Sequence, residues 1–171
     1  ALTGEEVGAR LPIIHGVWAD GSLEAARIAR QAQTGGASAL LVFPPAPFTL
    51  GQSAAMALAH FKTIAEATDL PMIVFQYPLA TGQGYPAATL ERLFDEVPTI
   101  RAIKDWTPTV PQHEGQIRAL QARARPINVL STNSAWLLSS LVLGCNGLLS
   151  GSGSVIADLQ ARLFRALKAN D

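Results

Sequence analysis

The sequence predicts an α/β fold in which parallel strands alternate with covering helices. Short segments that are apolar throughout recur along the chain, for example at residues 39–43 and 71–77. Segments with apolar residues at helical spacing stand between them, and glycines or prolines separate the two kinds of segment. Strands without polar alternation are typical of a parallel sheet that is buried on both faces.

The elements follow one another as repeated strand and helix units after a helix start at residues 3–6. Strands are predicted at 12–18, 39–43, 71–77, 100–104, 127–130 and 147–150. The helices after them are predicted at 23–33, 53–68, 86–95, 114–124, 134–143 and 155–168. Residues 20–22 (DGS) offer a helix cap, Gly35, Gly36 and Gly144 end helices, and Pro86 suits a first helical turn.

Two architectures have this pattern: an open doubly wound sheet and a closed (β/α)₈ barrel. No Gly-x-Gly-x-x-Gly motif follows the first strand, which disfavours a dinucleotide-binding sheet. A barrel has eight units and typically about 250 residues, whereas this chain has 171. We therefore expect one barrel domain over residues 1–171 that covers about six of the eight βα units. We also expect residues to be missing before Ala1, near 6–11 and after Asp171, which an intact mass would check.

The amino-acid composition limits the classes of partner that we expect for this protein. Basic and acidic residues balance at 13 each, which disfavours nucleic acid as a partner. The longest apolar runs are strand-sized, so no membrane is expected. The absence of a signal-peptide pattern and the single cysteine, Cys145, favour the cytoplasm. The small share of charged residues is compatible with a surface that is buried in a homo-oligomer, and we expect a dimer or tetramer.

The spacing of the histidines suggests no metal site. We expect His15 to be a core residue, His60 to face the barrel wall and His113 to be exposed.

Lys104 is the most informative residue, because it ends an apolar strand. In parallel α/β folds that end of the strand faces the active site. A lysine that is partly desolvated there has a lowered pKa, and its neutral amine can attack a ketone. The alternative interpretation is a lysine that reaches solvent at a strand end and pairs with Asp105.

Several segments together resemble one known family. They are 2–6 (LTGEE), 12–17 (PIIHGV), 35–45 (GGASALLVFPP), 60–65 (HFKTIA), 103–105 (IKD) and 143–150 (LGCNGLLS). In this order they are similar to the dihydrodipicolinate synthase / N-acetylneuraminate lyase family of class I aldolases and dehydratases, over nearly the whole chain. The resemblance implies a TIM barrel in which Lys104 forms a Schiff base with a 2-keto acid and no cofactor is needed.

The sequence also departs from that family. Residues 75–78 (FQYP) stand where the family has Tyr-Asn-x-Pro, so Phe75 replaces the tyrosine that relays protons. We expect Phe75 to line the substrate-binding site instead. Tyr77 points to the same face two residues on and is our candidate for the relay, with simple packing as the alternative. Ala80 replaces the arginine that holds a dicarboxylate in the dihydrodipicolinate synthases. This disfavours their reaction and favours the sialic acid lyase branch.

Further substrate contacts are expected at the ends of the last two strands. Ser131 could bind a polyhydroxy tail, although residues 131–133 could instead cap the next helix. Leu149, Ser150 and Gly151 lie where the family packs the pyruvyl part of its substrate.

These residues predict a lyase that acts on a 2-keto acid. Its reaction is either aldol cleavage to pyruvate, with the reverse condensation, or dehydration of a 2-keto-3-deoxy sugar acid. The alternative is an inactive paralogue that binds a keto acid as a sensor or regulatory subunit.

Overall fold

The structure is a computed structural model, and it describes residues 2–169. The described residues group into two compact units, of which the first ends at Arg101 and the second begins at Ala102. Both units alternate parallel strands with α-helices. Within the part described, no helix has the length and apolar character to cross a membrane.

The first unit contains three complete strands, the start of a fourth, and the helices between them. Their order is α1 (Leu2–Val7), β1 (Ile14–Val17), α2 (Ser22–Thr34), β2 (Ala39–Val42), α3 (Ala54–Ala65), β3 (Met72–Gln76), α4 (Ala87–Glu96) and the start of β4 (Ile100–Asp105). Two short 3₁₀ helices that the sequence did not predict, Ala46–Leu50 and Leu79–Thr81, follow β2 and β3.

The strands of the first unit pair in parallel and in sequence order. Val17 pairs with Val42, and Val42 pairs with Val74. These three side chains are almost completely buried, which places the helix-covered face of the sheet on their side. The N–H of Met72 in β3 donates to the carbonyl of Thr99, just before β4. Strand β4 therefore follows β3 directly, without the change of strand order found in a doubly wound sheet.

The second unit contains the rest of β4 and the last two strands with their helices. Their order is α5 (Val110–Gln121), β5 (Asn128–Ser131), α6 (Leu137–Val142), β6 (Gly147–Leu148) and α7 (Gly153–Ala169). Strand β5 pairs in parallel with β4 and with β6. Helix α7 has a non-helical residue at Ile156 (φ −124°, ψ 39°).

Each predicted strand and helix is present, and the differences lie at the ends of the elements. Helix α5 begins four residues earlier than predicted, because Pro111 falls in its first turn, where proline is well tolerated. Helix α6 begins three residues later than predicted, because the segment before it forms a turn in which Asn133 Oδ1 accepts the N–H of Ala135. The expected cap of α2 is only partly right, since Gly21 is the N-cap and no side chain caps the helix.

Candidate active site

Lys104 lies one residue before the end of β4, on the face that is not covered by helix α5. Side chains alternate along a strand, so Ile103 and Asp105 share one face and Ala102 and Lys104 the other. Ile103 and Asp105 are fully buried, and Asp105 contacts α5 through His113. Lys104 is half-buried on the opposite face. In a barrel the helices cover the outside, so this face of β4 is the inner one.

The environment of the Lys104 amine favours its neutral form. Partial removal from water lowers the pKa of Lys104 below that of an ordinary lysine, because desolvation penalises the ammonium. A larger fraction of neutral amine at neutral pH makes the nitrogen a better nucleophile toward a carbonyl carbon.

The carboxylate of Asp105 lies on the face of β4 that is covered by helix α5. Its Oδ1 accepts hydrogen bonds from the N–H and the hydroxyl of Thr107, and its Oδ2 lies 2.6 Å from Nδ1 of His113. The interpretation of Lys104 as a partner of Asp105 is therefore not supported. His113 was expected to be exposed, and this was wrong: it is 2% exposed and lies against β4 on a buried turn of α5.

Strand β5 places Leu130 beside Lys104 and Ser131 beside Asp105. Paired residues of parallel strands share a face, so Ser131 lies on the helix side. Its hydroxyl is completely buried and donates to Ser140 of α6 at 2.8 Å. This placement does not favour the predicted contact between Ser131 and a substrate. By alternation, Thr132 lies on the face of Lys104 instead.

The predicted loop after β6 contains a cluster of hydroxyl groups. Ser150 Oγ lies 2.7 Å from Ser134 Oγ and 2.8 Å from Ser152 Oγ, and Gln160 donates to Ser152 at 2.7 Å. Leu149 and Ser150 are partly exposed and Gly151 is exposed. The structure therefore joins Ser150 to Ser134 at the carboxyl ends of β5 and β6.

In the first unit, Phe75 and Tyr77 are on the inner face at the end of β3. Their ring centroids are 4.5 Å apart. Phe75 is buried and Tyr77 is partly exposed. Desolvation raises the pKa of Tyr77, so its phenol keeps its proton at neutral pH and is a potential donor.

The intervening residue, Gln76, points to the opposite face and orders the following loop. Its amide accepts the N–H of Tyr85 and donates to the Tyr85 carbonyl, both at 3.0 Å. Gln52 donates to the carbonyls of Gly82 and Gly84, and so ties the loop after β2 to the loop after β3. Sequence reasoning gave neither glutamine a role, because a single glutamine in a loop or at the end of a strand has no pattern that predicts its partners.

The other two histidines show how local context decides burial. His60 is buried as expected, and its Nδ1 lies 3.0 Å from the hydroxyl of Ser22. His15 was expected in the core, and this was wrong, since it is exposed on β1.

Among residues 2–169 no group of three or more potential ligands is arranged to hold a metal ion.

Repeated βα units with a half-buried lysine at the carboxyl end of β4 define a barrel protein of the kind that carries its functional groups at the strand ends. The dihydrodipicolinate synthetase family matches this chain over residues 1–171. The chain belongs to that family.

Curated relatives agree with this assignment. A 4-hydroxy-tetrahydrodipicolinate synthase of Maridesulfovibrio salexigens is 28% identical over 168 residues, which are 98% of this chain and 56% of the relative. An uncharacterized DapA-like lyase of Halobacterium salinarum is 31% identical over 98% of this chain and 53% of its own length. The chain thus spans about half the length of these relatives.

Solved structures confirm the fold class. YagE of Escherichia coli K12, a prophage protein of the dihydrodipicolinic acid synthase family solved in complex with pyruvate, is 25% identical and has a TM-score of 0.89 over 99% of this chain and 56% of YagE. Dihydrodipicolinate synthase from Aquifex aeolicus has a TM-score of 0.85 at 25% identity, over 98% of this chain and 56% of its own. The predicted (β/α)₈ barrel, of which the chain covers about six units, is confirmed.

Proposed function

We propose that this chain is the lysine-bearing part of a class I lyase in which Lys104 forms a Schiff base with a 2-keto acid. The observation that supports it most is the half-buried amine at the carboxyl end of β4, whose pKa is lowered by desolvation. Membership of a family that includes synthases and lyases supports the same reaction type. No cofactor is needed, because the iminium itself withdraws electrons.

The neutral amine of Lys104 adds to the C2 carbonyl to form a carbinolamine. The hydroxyl of the carbinolamine then takes up a proton and leaves as water, and an iminium forms. In aldol cleavage a base takes the proton of the C4 hydroxyl, the C3–C4 bond breaks, and its electron pair forms the enamine. C3 then takes up a proton, and water hydrolyses the iminium to release pyruvate and restore the amine. In dehydration C3 loses a proton and the C4 hydroxyl leaves as water after it has been protonated.

Tyr77 is the proposed proton carrier for these steps. Its phenol is protonated at neutral pH, as in any tyrosine, and desolvation raises its pKa further. A positioned acid or base typically accelerates such a step about 10²- to 10⁴-fold. Phe75 has no proton to exchange, and we assign it to the wall of the site. Leu149, Ser150 and Gly151 remain the proposed contacts for the pyruvyl part.

The test is pyruvate release from a panel of 4-hydroxy-2-keto acids with different tails, coupled to lactate dehydrogenase. We expect Lys104→Met to reduce turnover to background and Tyr77→Phe to lower kcat by about 10²-fold or more with little change in KM. Lys62→Arg is the matched control, because Lys62 lies on the surface and pairs with Glu96. Unchanged turnover in Lys104→Met would refute the proposal.

A keto-acid sensor is the second candidate, and the Phe75 side chain at the end of β3 favours it. It predicts that pyruvate raises the melting temperature of the protein while no member of the panel is converted. Conversion of any member removes this candidate.

A further inference from the structure

The second unit, which begins at Ala102, contains both Lys104 and the groups that hold the end of β4. Lys104 leaves β4 on the inner face, and the next residue, Asp105, leaves it on the face covered by α5. An amine and a carboxylate are therefore adjacent in the sequence but lie on opposite faces of one strand. A carboxylate close to an amine favours its charged form, which is not nucleophilic. What keeps Asp105 on the outer face therefore matters for Lys104.

The carboxylate of Asp105 is held at both of its oxygens. Oδ1 accepts the N–H of Thr107 at 2.9 Å and also the Thr107 hydroxyl, and Oδ2 lies 2.6 Å from Nδ1 of His113. Since a carboxylate can only accept, Nδ1 of His113 is the donor. Asp105 and His113 are each 2% exposed, so water cannot readily take the place of either partner.

The second ring nitrogen of His113 indicates what this residue is for. Nε2 is buried and has no hydrogen-bond partner among the described residues. An unpaired polar atom in the interior lowers stability, and an apolar side chain at this position of α5 would avoid that loss. An apolar side chain would, however, leave Oδ2 of Asp105 without its donor. The contact with Asp105 therefore explains the imidazole better than packing does.

Strand β5 shows the same division between its two faces. Leu130 pairs with Lys104 and places an apolar neighbour on the inner face, whereas Ser131 pairs with Asp105. The Ser131 hydroxyl is completely buried and donates to Ser140 of α6. At this level of the second unit the polar groups of the outer face are thus bonded to helices, while the Lys104 amine is partly desolvated on the inner face.

We propose that His113 is a positioning residue for Lys104. By donating to Oδ2 of Asp105 it holds the carboxylate against α5, so that the Lys104 side chain leaves β4 toward the inner face with its amine available as a nucleophile. His113 does not touch the substrate and acts through Asp105 and the backbone of β4. The importance of this role for catalysis rests on the proposed Schiff-base function, whereas its effect on the amine can be measured without a substrate.

The test measures how the acetylation of each lysine by trace acetic anhydride depends on pH, with peptide mapping as the readout. The midpoint for Lys104 reports the titration of its amine whether or not a keto acid binds. Lys62, which lies on the surface and pairs with Glu96, is the reference within the same molecule. In His113→Leu we expect the Lys104 midpoint to rise by about half a pH unit or more toward about 10.4, and the Lys62 midpoint to stay unchanged.

Two control variants separate positioning from a loss of stability, and all variants are compared well below their unfolding temperatures. His113→Asn keeps an N–H donor close to the position of Nδ1 and should restore the wild-type midpoint. Leu120→Ala leaves a cavity beneath the same helix, since Leu120 is 3% exposed, and should lower stability without moving the midpoint. If His113→Leu does not fold, Gln116→Leu replaces it, because it removes the donor to Thr107 in the same network and should also raise the midpoint.

A wild-type Lys104 midpoint in the folded network variant, or an equal rise in Leu120→Ala, would contradict this inference. Trapping with pyruvate and borohydride at neutral pH then tests the link to catalysis. His113→Leu should form the adduct about threefold more slowly or less, in line with the smaller neutral fraction of the amine, and His113→Asn at the wild-type rate. If the wild type forms no adduct, the proposed function is wrong, and the acetylation midpoints still decide whether His113 positions the amine.

Discussion

At the scale of single residues, the proposed Schiff-base chemistry depends on how far the Lys104 amine is removed from water. The side chain is half-buried, and desolvation shifts its pKa downward. The amine is therefore neutral, and reactive, at a lower pH than a free alkylamine. The shift comes from the partial burial of the residue on the inner face of β4.

We predict that the pH dependence of adduct formation at Lys104 reflects this shift. The rate of borohydride trapping at saturating pyruvate should rise with pH and reach half of its plateau below about 10.4, the ordinary lysine value. A simple alkylamine measured in parallel should reach half its plateau near that value. Coincident profiles for the protein and the alkylamine would contradict the account of desolvation.

Tyr85 offers a prediction about a buried hydroxyl. Its side chain is 1% exposed among Phe48 and Phe61, and its Oη has no hydrogen-bond partner among the described residues. Burial of an unpaired hydroxyl costs about 1–3 kcal/mol. Tyr85→Phe should therefore leave the free energy of unfolding unchanged or raise it by up to about 1 kcal/mol, as measured by urea denaturation. If Tyr85→Phe instead lowered the free energy of unfolding by more than about 1 kcal/mol, the hydroxyl would have a hydrogen-bond partner in the folded protein.

At the scale of elements, the end of β4 is joined to α5 by a buried polar network. Asp105 accepts from Thr107 and His113, and Gln116 of the same helix donates to Thr107 at 2.6 Å. All these contacts lie on the side opposite to Lys104. The network fixes the last residues of the strand against the helix, and so fixes the direction in which the Lys104 side chain leaves the backbone.

We predict measurable coupling between Asp105 and His113. Removing one partner of a buried hydrogen bond leaves the other group unsatisfied, which typically costs about 1–3 kcal/mol, so Asp105→Asn and His113→Phe should each lower the free energy of unfolding. Because each variant breaks the same contact, the double variant should lose less than the sum, with a coupling of about 1–3 kcal/mol. Strictly additive losses would show that the two residues act independently.

At the scale of the whole molecule, most of the fold followed from the sequence pattern. Apolar strands such as β2 and β3 lie within two residues of their predicted ends, because burial on both faces leaves a clear signal. Lys104 was predicted to be the Schiff-base residue from its place at the end of a strand together with the family resemblance. The 3₁₀ helices after β2 and β3 were not predicted, since single turns have no periodicity.

The site was predictable only where one strand determines the direction of a side chain. That the Ser131 side chain faces α6 could not be predicted, because the end of β5 had to be known to within one residue to tell the two faces apart. The burial of His113 depends on a contact between β4 and α5, which no local pattern records. The ring contacts of Phe43 with Trp18 and Phe75 could not be predicted from the sequence, since the three residues follow or lie on three strands whose register decides that they meet.

The stability of the protein should fall on mild acidification because of His60. Burial lowers the pKa of His60 to about 4, so the folded state keeps this ring neutral while the unfolded chain protonates it near 6.5. The unfolded state then binds more protons, and stability decreases as pH falls through this window. Between pH 7 and pH 5 the wild type should lose about 2 kcal/mol more than His60→Gln. Equal losses in urea denaturation would show that His60 is not the source.

In the proposed reaction Lys104 bonds covalently to the carbonyl carbon of a 2-keto acid. The most direct measurement is peptide mapping by mass spectrometry after the protein has been incubated with pyruvate and borohydride. The chain has three lysines, Lys62, Lys104 and Lys168, so the site of reduction can be assigned without ambiguity. We expect a single stoichiometric adduct on Lys104. An adduct on either of the other lysines instead, or no adduct at all, would rule out the proposed Schiff base.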